Sequence, residues 1–351
     1  MDTNEHEWED VHLMTEELRE RTQRQGYWFL VARQFRKSRL AVAGMVLLVF
    51  LGVVALAAPF LAGDRPIYMV EEGKGYLFPN LFDYEGLVHL QGSYHDWEPA
   101  EGTLAIRPLI PFAPERSNLR GRLKAPSEEH LLGTDDRGRD VMSRMIWGTR
   151  ISMSIGFLAV GIAVTIGIVI GSVAGYYGGW VDMVMLRIIE VMKCFPTFIL
   201  ILSLIAFLPQ SIWNIMIILG LTMWTGVARL VRGEFLKVRD SDYATAARAT
   251  GLSDMRVIFR HLLPNALAPV LVSATFGIAG AILTETALSF LGFGVPPPTA
   301  SWGEILSQSK RYVDSAWWLV TFPGLAIFVT VTAFNLVGEG LRDAMDPRLR
   351  Q

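Results

Sequence analysis

Long apolar runs constrain the fold of this chain more than any other feature of its sequence. The run from Leu40 to Ala62 carries no charged residue, and 51% of the 351 residues are hydrophobic while only 19% are charged. A bilayer core about 30 Å thick requires about 20 apolar residues in a helix that crosses it. Composition and run length therefore predict an all-α membrane protein and exclude an ordinary soluble domain.

Six segments of the chain meet this requirement, so we predict six transmembrane helices. They are residues 40–62, 151–175, 194–208, 212–227, 266–290 and 317–337. The third segment is short and must borrow length from the charged residues before it, with Pro196 bending the helix. The predicted parts of the chain are an N-terminal cytosolic or interfacial segment (1–39), the first helix (40–62), a large loop (63–150), the remaining membrane core (151–340) and a tail (341–351).

The distribution of basic residues predicts the orientation in the membrane. Arg33, Arg36, Lys37 and Arg39 directly precede the first span and should remain cytoplasmic under the positive-inside rule. Residues 229–260 carry seven Arg or Lys against four Asp or Glu, which places this segment on the same side. With six spans, both termini are cytoplasmic and the loop between the first two helices is external. A small core of this loop could be formed by its aromatic residues Tyr68, Tyr76, Phe78, Phe82, Tyr84, Tyr94 and Trp97.

A polar, helix-prone segment at about 232–264 separates the fourth and fifth spans. Ala246, Ala247, Gly251, Leu263 and Pro264 recur here at a spacing that resembles the "EAA" coupling loop of ABC-importer membrane subunits. Thr245 stands where that loop usually has Glu, and His261 where it usually has an apolar residue. An Ala-Ala pair followed by a Gly is also a common way for any surface helix to end. Its position between spans favours docking of a face formed by Ala246 and Ala247 into a partner's groove. We expect Gly251 to end this helix in a left-handed turn and a second helix to end at Pro264. The resemblance implies an ATPase-coupling role for Tyr243, Thr245, Ala246, Ala247, Gly251, Leu252, Leu263 and Pro264.

Other motifs extend this resemblance over residues 130–348. The segments His130–Arg144, Tyr176–Asp182 and Glu285–Gly294 are similar to matching segments in permeases of dipeptide, oligopeptide and nickel importers. The loop before them resembles the enlarged outer loop of the branch that includes the microcin C permease. The resemblance implies a type I ABC importer permease fold in the cytoplasmic (inner) membrane, forming half of a pathway for peptides or related small solutes.

The resemblance also implies the partners. These are a second homologous permease subunit, two ATPase subunits, an extracytoplasmic substrate-binding protein and membrane lipid. A net charge of −2 gives no reason to expect nucleic acid. Gly133–Gly138 has the glycine spacing of a P-loop, but Arg139 and Asp140 follow where Lys and Ser or Thr are required. We therefore expect no catalytic residue, no metal site and no cofactor, with ATP bound by the partner subunits.

Two further groups of residues invite a structural or a functional interpretation. Asp135, Asp136, Arg139 and Asp140 form a charged motif at the external mouth, where internal ion pairs are favoured over direct substrate contact. Glu285 lies near the outer end of the fifth span. It could attract the amino terminus of a peptide, or it could pair with an arginine of the outer loop.

The second predicted span carries a face formed by glycines. Gly167, Gly171 and Gly175 recur at four-residue spacing and predict close helix packing, although glycine is also frequent in membrane helices generally.

The alternative function is a secondary transporter or channel. Such a protein would carry ionisable residues near the bilayer midplane and inverted internal repeats. The central spans are nearly free of charge and no repeat is visible, so the sequence favours the importer subunit.

Overall fold

The computed structural model describes residues 27–71, 73–90, 94, 97 and 104–346. Within these ranges the chain is mainly helical. The helices are α1 (Tyr27–Phe35), α2 (Arg39–Leu61), α3 (Val141–Tyr177), α4 (Gly179–Cys194), α5 (Thr197–Phe207), α6 (Ile212–Val238), α7 (Asp242–Ala249), α8 (Asp254–Phe290), α9 (Trp302–Gln308) and α10 (Trp318–Met345). Two short strands, β1 (Tyr68–Glu71) and β2 (Lys74–Leu77), pair as an antiparallel hairpin. Short 3-10 helices occupy Glu85–Leu90, Leu119–Gly121 and Ser309–Arg311.

Five of the described helices are long and apolar enough to cross a membrane alone, namely α2, α3, α6, α8 and α10. The pair α4 and α5 passes the same test together, with a bend of 78° between the two helices. The bend falls at Pro196, as predicted, because proline cannot donate the backbone hydrogen bond that would continue the helix. Counting the bent pair as one span gives the six predicted spans.

The helix that carries the second span begins at Val141, so the predicted loop boundary at residue 150 is wrong. Asp140 caps this helix, since its Oδ1 accepts a hydrogen bond of 2.7 Å from the backbone N–H of Ser143. Charged residues suggested a loop here, but the charge of Arg144 is neutralised by partners described below. The last helix likewise continues to Met345, beyond the predicted end of its span at 337 and the predicted start of the tail at 341.

The sequence suggested that a helix ends at Pro264, but the structure shows no helix end there. Pro264 is the second residue of the α-helical stretch Leu263–Phe290, and the helix continues through it. The residues before it, Val257–Leu262, form a π-helical turn that joins this helix to Asp254–Arg256 without a break. The segment from Asp254 to Phe290 is therefore one long helix.

The core of the membrane region lies between α3, α6 and α8. The helix α3 packs most extensively against α6, while α8 packs against α3 and α10, and α2 packs against α10 and α3. Fully buried side chains of this core include Ile155, Ala159, Ile215, Leu219 and Ile282.

The two ends of the bundle differ. Trp147, near the start of α3, donates a 2.8 Å hydrogen bond to the carbonyl of Ala62 beside the hairpin. Tyr176, at the end of α3, donates one of 2.7 Å to Asp254 beside α7. The hairpin and α7 therefore lie at opposite ends, which we call the hairpin end and the coupling end.

The loop after α2 has a small hydrophobic core of its own. Met69, Leu87, Tyr94 and Trp97 are buried together, with other aromatic residues packed around them. Phe82 was predicted to join this core but is exposed. The predicted core is thus partly correct, and most of its aromatic members contribute.

Candidate coupling site

The helix α7 lies on a buried apolar surface at the coupling end. Ala244 and Ala247 are one turn apart on α7 and both are buried. They belong to one cluster with side chains of α6 and α8, which we call the platform: Val231, Phe235, Val257, Ile258 and Leu262. Because alanine has no long side chain, α7 can lie close against the platform. Three membrane-spanning helices, α3, α6 and α8, contribute residues to this cluster.

The opposite face of α7 is exposed. Tyr243, Thr245, Ala246 and Arg248 all point away from the platform. We had predicted that Ala246 and Ala247 present one common face to a partner, and this is wrong. Consecutive helical residues are about 100° apart, so Ala247 packs inward while Ala246 faces outward.

Gly251 ends α7 in a left-handed turn, as predicted. Its φ angle is +75°, and its backbone N–H donates a 3.0 Å hydrogen bond to the carbonyl of Arg248. Glycine adopts this conformation without the steric cost that a Cβ atom brings. No other atom lies within 4 Å of the position that a Cβ would occupy. The need for glycine here is therefore conformational, and space around the residue plays no part.

The remaining predicted coupling residues divide between the platform and the surface. Leu252 and Leu263 are partly buried and pack against the platform. Pro264 is exposed. The Tyr243 hydroxyl accepts a hydrogen bond of 3.2 Å from the amide of Asn265, which connects α7 to the first regular turn of the fifth span.

Two exposed apolar residues beside α7 were missed in the sequence. Met255 is 62% exposed and Phe259 is 41% exposed. They are four residues apart on one helix and therefore share a face. Their i, i+4 spacing in an otherwise polar segment was the signal that could have identified them. Together with the exposed face of α7, they form an exposed and partly apolar surface at the coupling end, which we call the coupling surface.

Polar contacts connect this surface to the turn between α3 and α4. The hydroxyls of Tyr176 and Tyr177 donate to the two carboxylate oxygens of Asp254, at 2.7 and 3.2 Å. Arg232 of α6 forms a bidentate ion pair with Asp182 of α4, and one of its hydrogen bonds is 2.6 Å long. These contacts connect the start of α8 to the end of α3, and α6 to α4.

The three glycines predicted for helix packing all face α6. A Cβ on Gly167 would lie 2.6 Å from the Cβ of Val227, and one on Gly171 would lie 2.5 Å from the carbonyl oxygen of Ala228. A Cβ on Gly175 would lie 2.5 Å from that of Phe235. Only a hydrogen atom fits at these positions, so the backbone of α3 lies directly against α6.

The charged motif at the hairpin end contains a buried ion-pair network. Arg139 and Arg144 both contact Asp135, at 2.7 and 3.4 Å, and Arg144 also pairs with Glu304 of α9. All four side chains are at least nine-tenths buried. The network joins the start of α3 to the short helix before the last span, so these charges are structural in this conformation.

The other two acidic residues of the motif have different environments. Asp140 contacts the ring of His130 at 2.8 Å and caps α3. Burial raises the pKa of the Asp140 carboxyl, while hydrogen bonds from Ser143 and His130 act in the opposite direction. Asp136 has no ion pair among the described residues, and its Oδ1 atom has no hydrogen-bond partner there. The predicted set of four therefore does not act as one network, and Arg144 and Glu304 complete it instead.

Glu285 is fully buried, and it does not form the arginine pair that was one of the two arrangements the sequence left open. Its Oε1 atom accepts hydrogen bonds from the hydroxyls of Ser289 and Ser301, at 2.7 and 2.9 Å. Within the described part of the chain it has no arginine partner. It joins the end of α8 to the start of α9.

These observations define a class: a helical membrane protein with a docking helix between its fourth and fifth spans. Residues 167–351 match the family described as binding-protein-dependent transport system inner membrane component. Residues 26–72 match the N-terminal transmembrane domain of oligopeptide transport permease C. The chain belongs to the first of these families, so it is a permease subunit of an ABC importer in the inner membrane, as predicted. Such a family implies ATPase and substrate-binding partners.

Individual relatives agree with this assignment. A dipeptide transport system permease protein of Alkalihalophilus pseudofirmus is 35% identical over 323 residues, which cover 92% of this chain and 90% of the relative. The dipeptide permease of Escherichia coli K12 is 44% identical over 69% of this chain and 83% of its own length. A putative peptide permease of Brucella suis is 43% identical over 68% and 80%. The alternative of a secondary transporter or channel finds no support.

Proposed function

We propose that this chain forms half of the translocation pathway of an ATP-driven importer for peptides or related small solutes. The observation that carries the proposal is the position of α7, which buries Ala244 and Ala247 on the platform and exposes its opposite face. A helix held in this way can receive a partner on one side and move membrane helices on the other. The names of the relatives, dipeptide and peptide permeases, support peptides as the substrate class.

The contacts of α7 suggest how movement reaches the membrane. Its buried face rests on α6 and α8, and Asp254 connects α8 to the end of α3 through Tyr176. The glycine face holds α3 against α6. A partner that displaces α7 would therefore move these three helices together. This movement would change the side of the membrane to which the translocation pathway is open.

The chain itself supplies no covalent chemistry in this proposal. Two ATPase subunits bind and hydrolyse ATP at the coupling end, and a second homologous permease completes the pathway. An extracytoplasmic binding protein delivers substrate at the hairpin end. The chain needs no cofactor, because ATP binding and closure of the ATPases drive the cycle.

The proposal predicts that ATP hydrolysis depends on the partners. The purified chain should show no ATPase activity above background, since its glycine-rich motif lacks the lysine that contacts phosphate. Reconstituted vesicles that contain the chain, its partner permease, the ATPases and the binding protein should hydrolyse ATP and accumulate labelled dipeptide. Parallel measurements of phosphate release and uptake test this.

Two results would contradict the proposal. Robust hydrolysis by the chain alone would show a nucleotide site that the sequence analysis missed. Uptake by vesicles containing the chain alone, driven by an ion gradient without ATP, would establish a secondary transporter. Vesicles with the ATPases but without this chain are the matched control, and they should show no coupled uptake.

A further inference from the structure

An apolar groove lies at the coupling end, between the short helix α1 and the membrane helices beside it. Its volume is about 420 Å³, within the range of known small-molecule sites. Apart from Arg36 and the indole of Trp28, every side chain that lines it is apolar. The lining comes from α1, α2, α8 and α10: Trp28, Val31, Ala32, Phe35, Arg36, Val42, Met45, Val46, Leu271, Leu341 and Met345.

The groove is held in shape by close packing at its base. Val31 of α1 is buried, and Gly340 of α10 lies directly beneath Ala41 and Phe35. A Cβ on Gly340 would overlap both side chains. The helix α1 is thus fixed across α10, leaving an opening between α1 and the first turns of α2.

Arg36 lines the groove, and three further basic residues lie within three positions of it in the chain. Arg33, Arg36, Lys37 and Arg39 are all exposed, and none has an ion-pair partner within the described part of the chain. No acidic residue occurs between positions 27 and 63. Four positive charges therefore lie at the start of the first span, with no ion pair to another described residue.

We propose that this groove binds one phospholipid with an anionic headgroup. An acyl chain lies along the apolar lining, and the phosphate contacts Arg36 and its basic neighbours. An extended peptide fits poorly, because the apolar walls cannot satisfy its backbone hydrogen-bonding groups. Basic pockets between membrane helices bind anionic lipid headgroups by the same combination of charge and apolar contact. This site is separate from the coupling surface.

The test is thermal unfolding of the full-length chain in a mild detergent. Added phosphatidylglycerol should raise the unfolding midpoint by about 2 °C or more, whereas phosphatidylcholine with the same acyl chains should not. Soluble glycerol 3-phosphate should also give no shift, because it lacks the acyl chain. The double variant Arg36→Gln and Lys37→Gln should reduce the phosphatidylglycerol shift to that of phosphatidylcholine.

Matched variants separate the two parts of the site. Arg256→Gln with Arg260→Gln removes two exposed charges at the same end of the bundle and should leave the lipid shift unchanged. Ala32→Trp fills the groove and should abolish the shift, whereas Ala43→Trp, exposed on α2 outside the groove, should preserve it.

Several outcomes would overturn the proposal. Equal shifts with both phospholipids, or a full shift in the Arg36 and Lys37 variant, would exclude a headgroup-specific site. A shift that appears only after residues 1–26 are removed would show that this acidic segment, and not a lipid, binds the basic residues in the full-length chain. If the Ala32→Trp variant kept the lipid shift but no longer co-purified with the partner permease, the groove would be a subunit interface.

Discussion

Gly251 shows how one residue can control a surface it does not itself form. The turn at its positive φ angle reverses the chain between α7 and α8 and so determines which face of α7 meets the platform. The space around it is empty, so any effect of substitution comes from the backbone. A residue with a branched side chain would oppose the left-handed conformation by about 1–2 kcal/mol.

We expect Gly251→Val to leave membrane insertion near normal while abolishing uptake and co-purification of the ATPase. The turn lies outside the membrane spans, so the strain should misorient α7 without unfolding the spans. Gly251→Asn is the matched control, because asparagine tolerates a left-handed conformation better than other residues, and it should retain most activity. Expression level, ATPase pull-down and uptake are measured for each variant.

Thr245→Ala provides a second comparison at the same surface. Thr245 is exposed, and its hydroxyl has only a long contact of 3.4 Å with Arg248. Its loss should therefore be mild. Full transport by Gly251→Val, or a defect in Thr245→Ala as severe as that of Gly251→Val, would refute the coupling role assigned to this segment.

At the level of secondary-structure elements, the pairing of α3 with α6 is the central contact of the membrane core. Three glycines spaced by four residues form one stripe along α3, and all three meet α6. A stripe of this kind lets two helices approach closely, so dispersion contacts replace the hydrophobic effect that is absent within a bilayer. The pair therefore provides a rigid unit that α7 can move.

Alanine substitutions along α3 should separate packing from helix propensity. In Gly171→Ala, the new Cβ would lie 2.5 Å from the carbonyl oxygen of Ala228, and overpacking of this kind costs about 1–3 kcal/mol. Gly161→Ala, on the same helix, has no atom within 4 Å and should be neutral or slightly stabilising. Thermal unfolding of the two purified variants should give shifts of opposite sign or clearly different size. Equal shifts would show that the glycine stripe does not support the packing of α3 on α6.

At the scale of the whole molecule, the number of spans depends on the bent pair α4 and α5. If the pair crosses the membrane, the chain has six spans and its termini lie on one side. If it enters and returns as a re-entrant segment, there are five spans and the termini lie on opposite sides. The basic cluster before α2 assigns the N-terminus to the cytoplasm in both cases.

Two reporter fusions distinguish these topologies. With six spans, a reporter after Gln351 should be cytoplasmic, while one inserted near Gly92 should be external. Alkaline phosphatase and a fluorescent protein, active on opposite sides of the membrane, give complementary signals for each position. Finding both sites on the same side would show that the chain has five spans.

Much of the fold was predictable because its causes are local. The approximate positions of the spans follow from the length of each apolar run, and the bend at Pro196 follows from a missing backbone donor. The exposure of Ala246 beside the burial of Ala247 also has a local cause in helical geometry, yet which of the two faces the platform is not a local property. The groove at α1 likewise needs four helices to exist.

The sequence by itself determined the membrane class, the spans, the turn at Gly251 and the glycine stripe, because apolar length, backbone conformation and side-chain size act within a few residues. Only the tertiary structure decided how Arg144 in the first turn of α3 is neutralised, since its partner Glu304 lies 160 residues away. It also gave Glu285 its serine partners in place of an arginine. Buried charges need specific partners, and partners distant in the chain are chosen by packing.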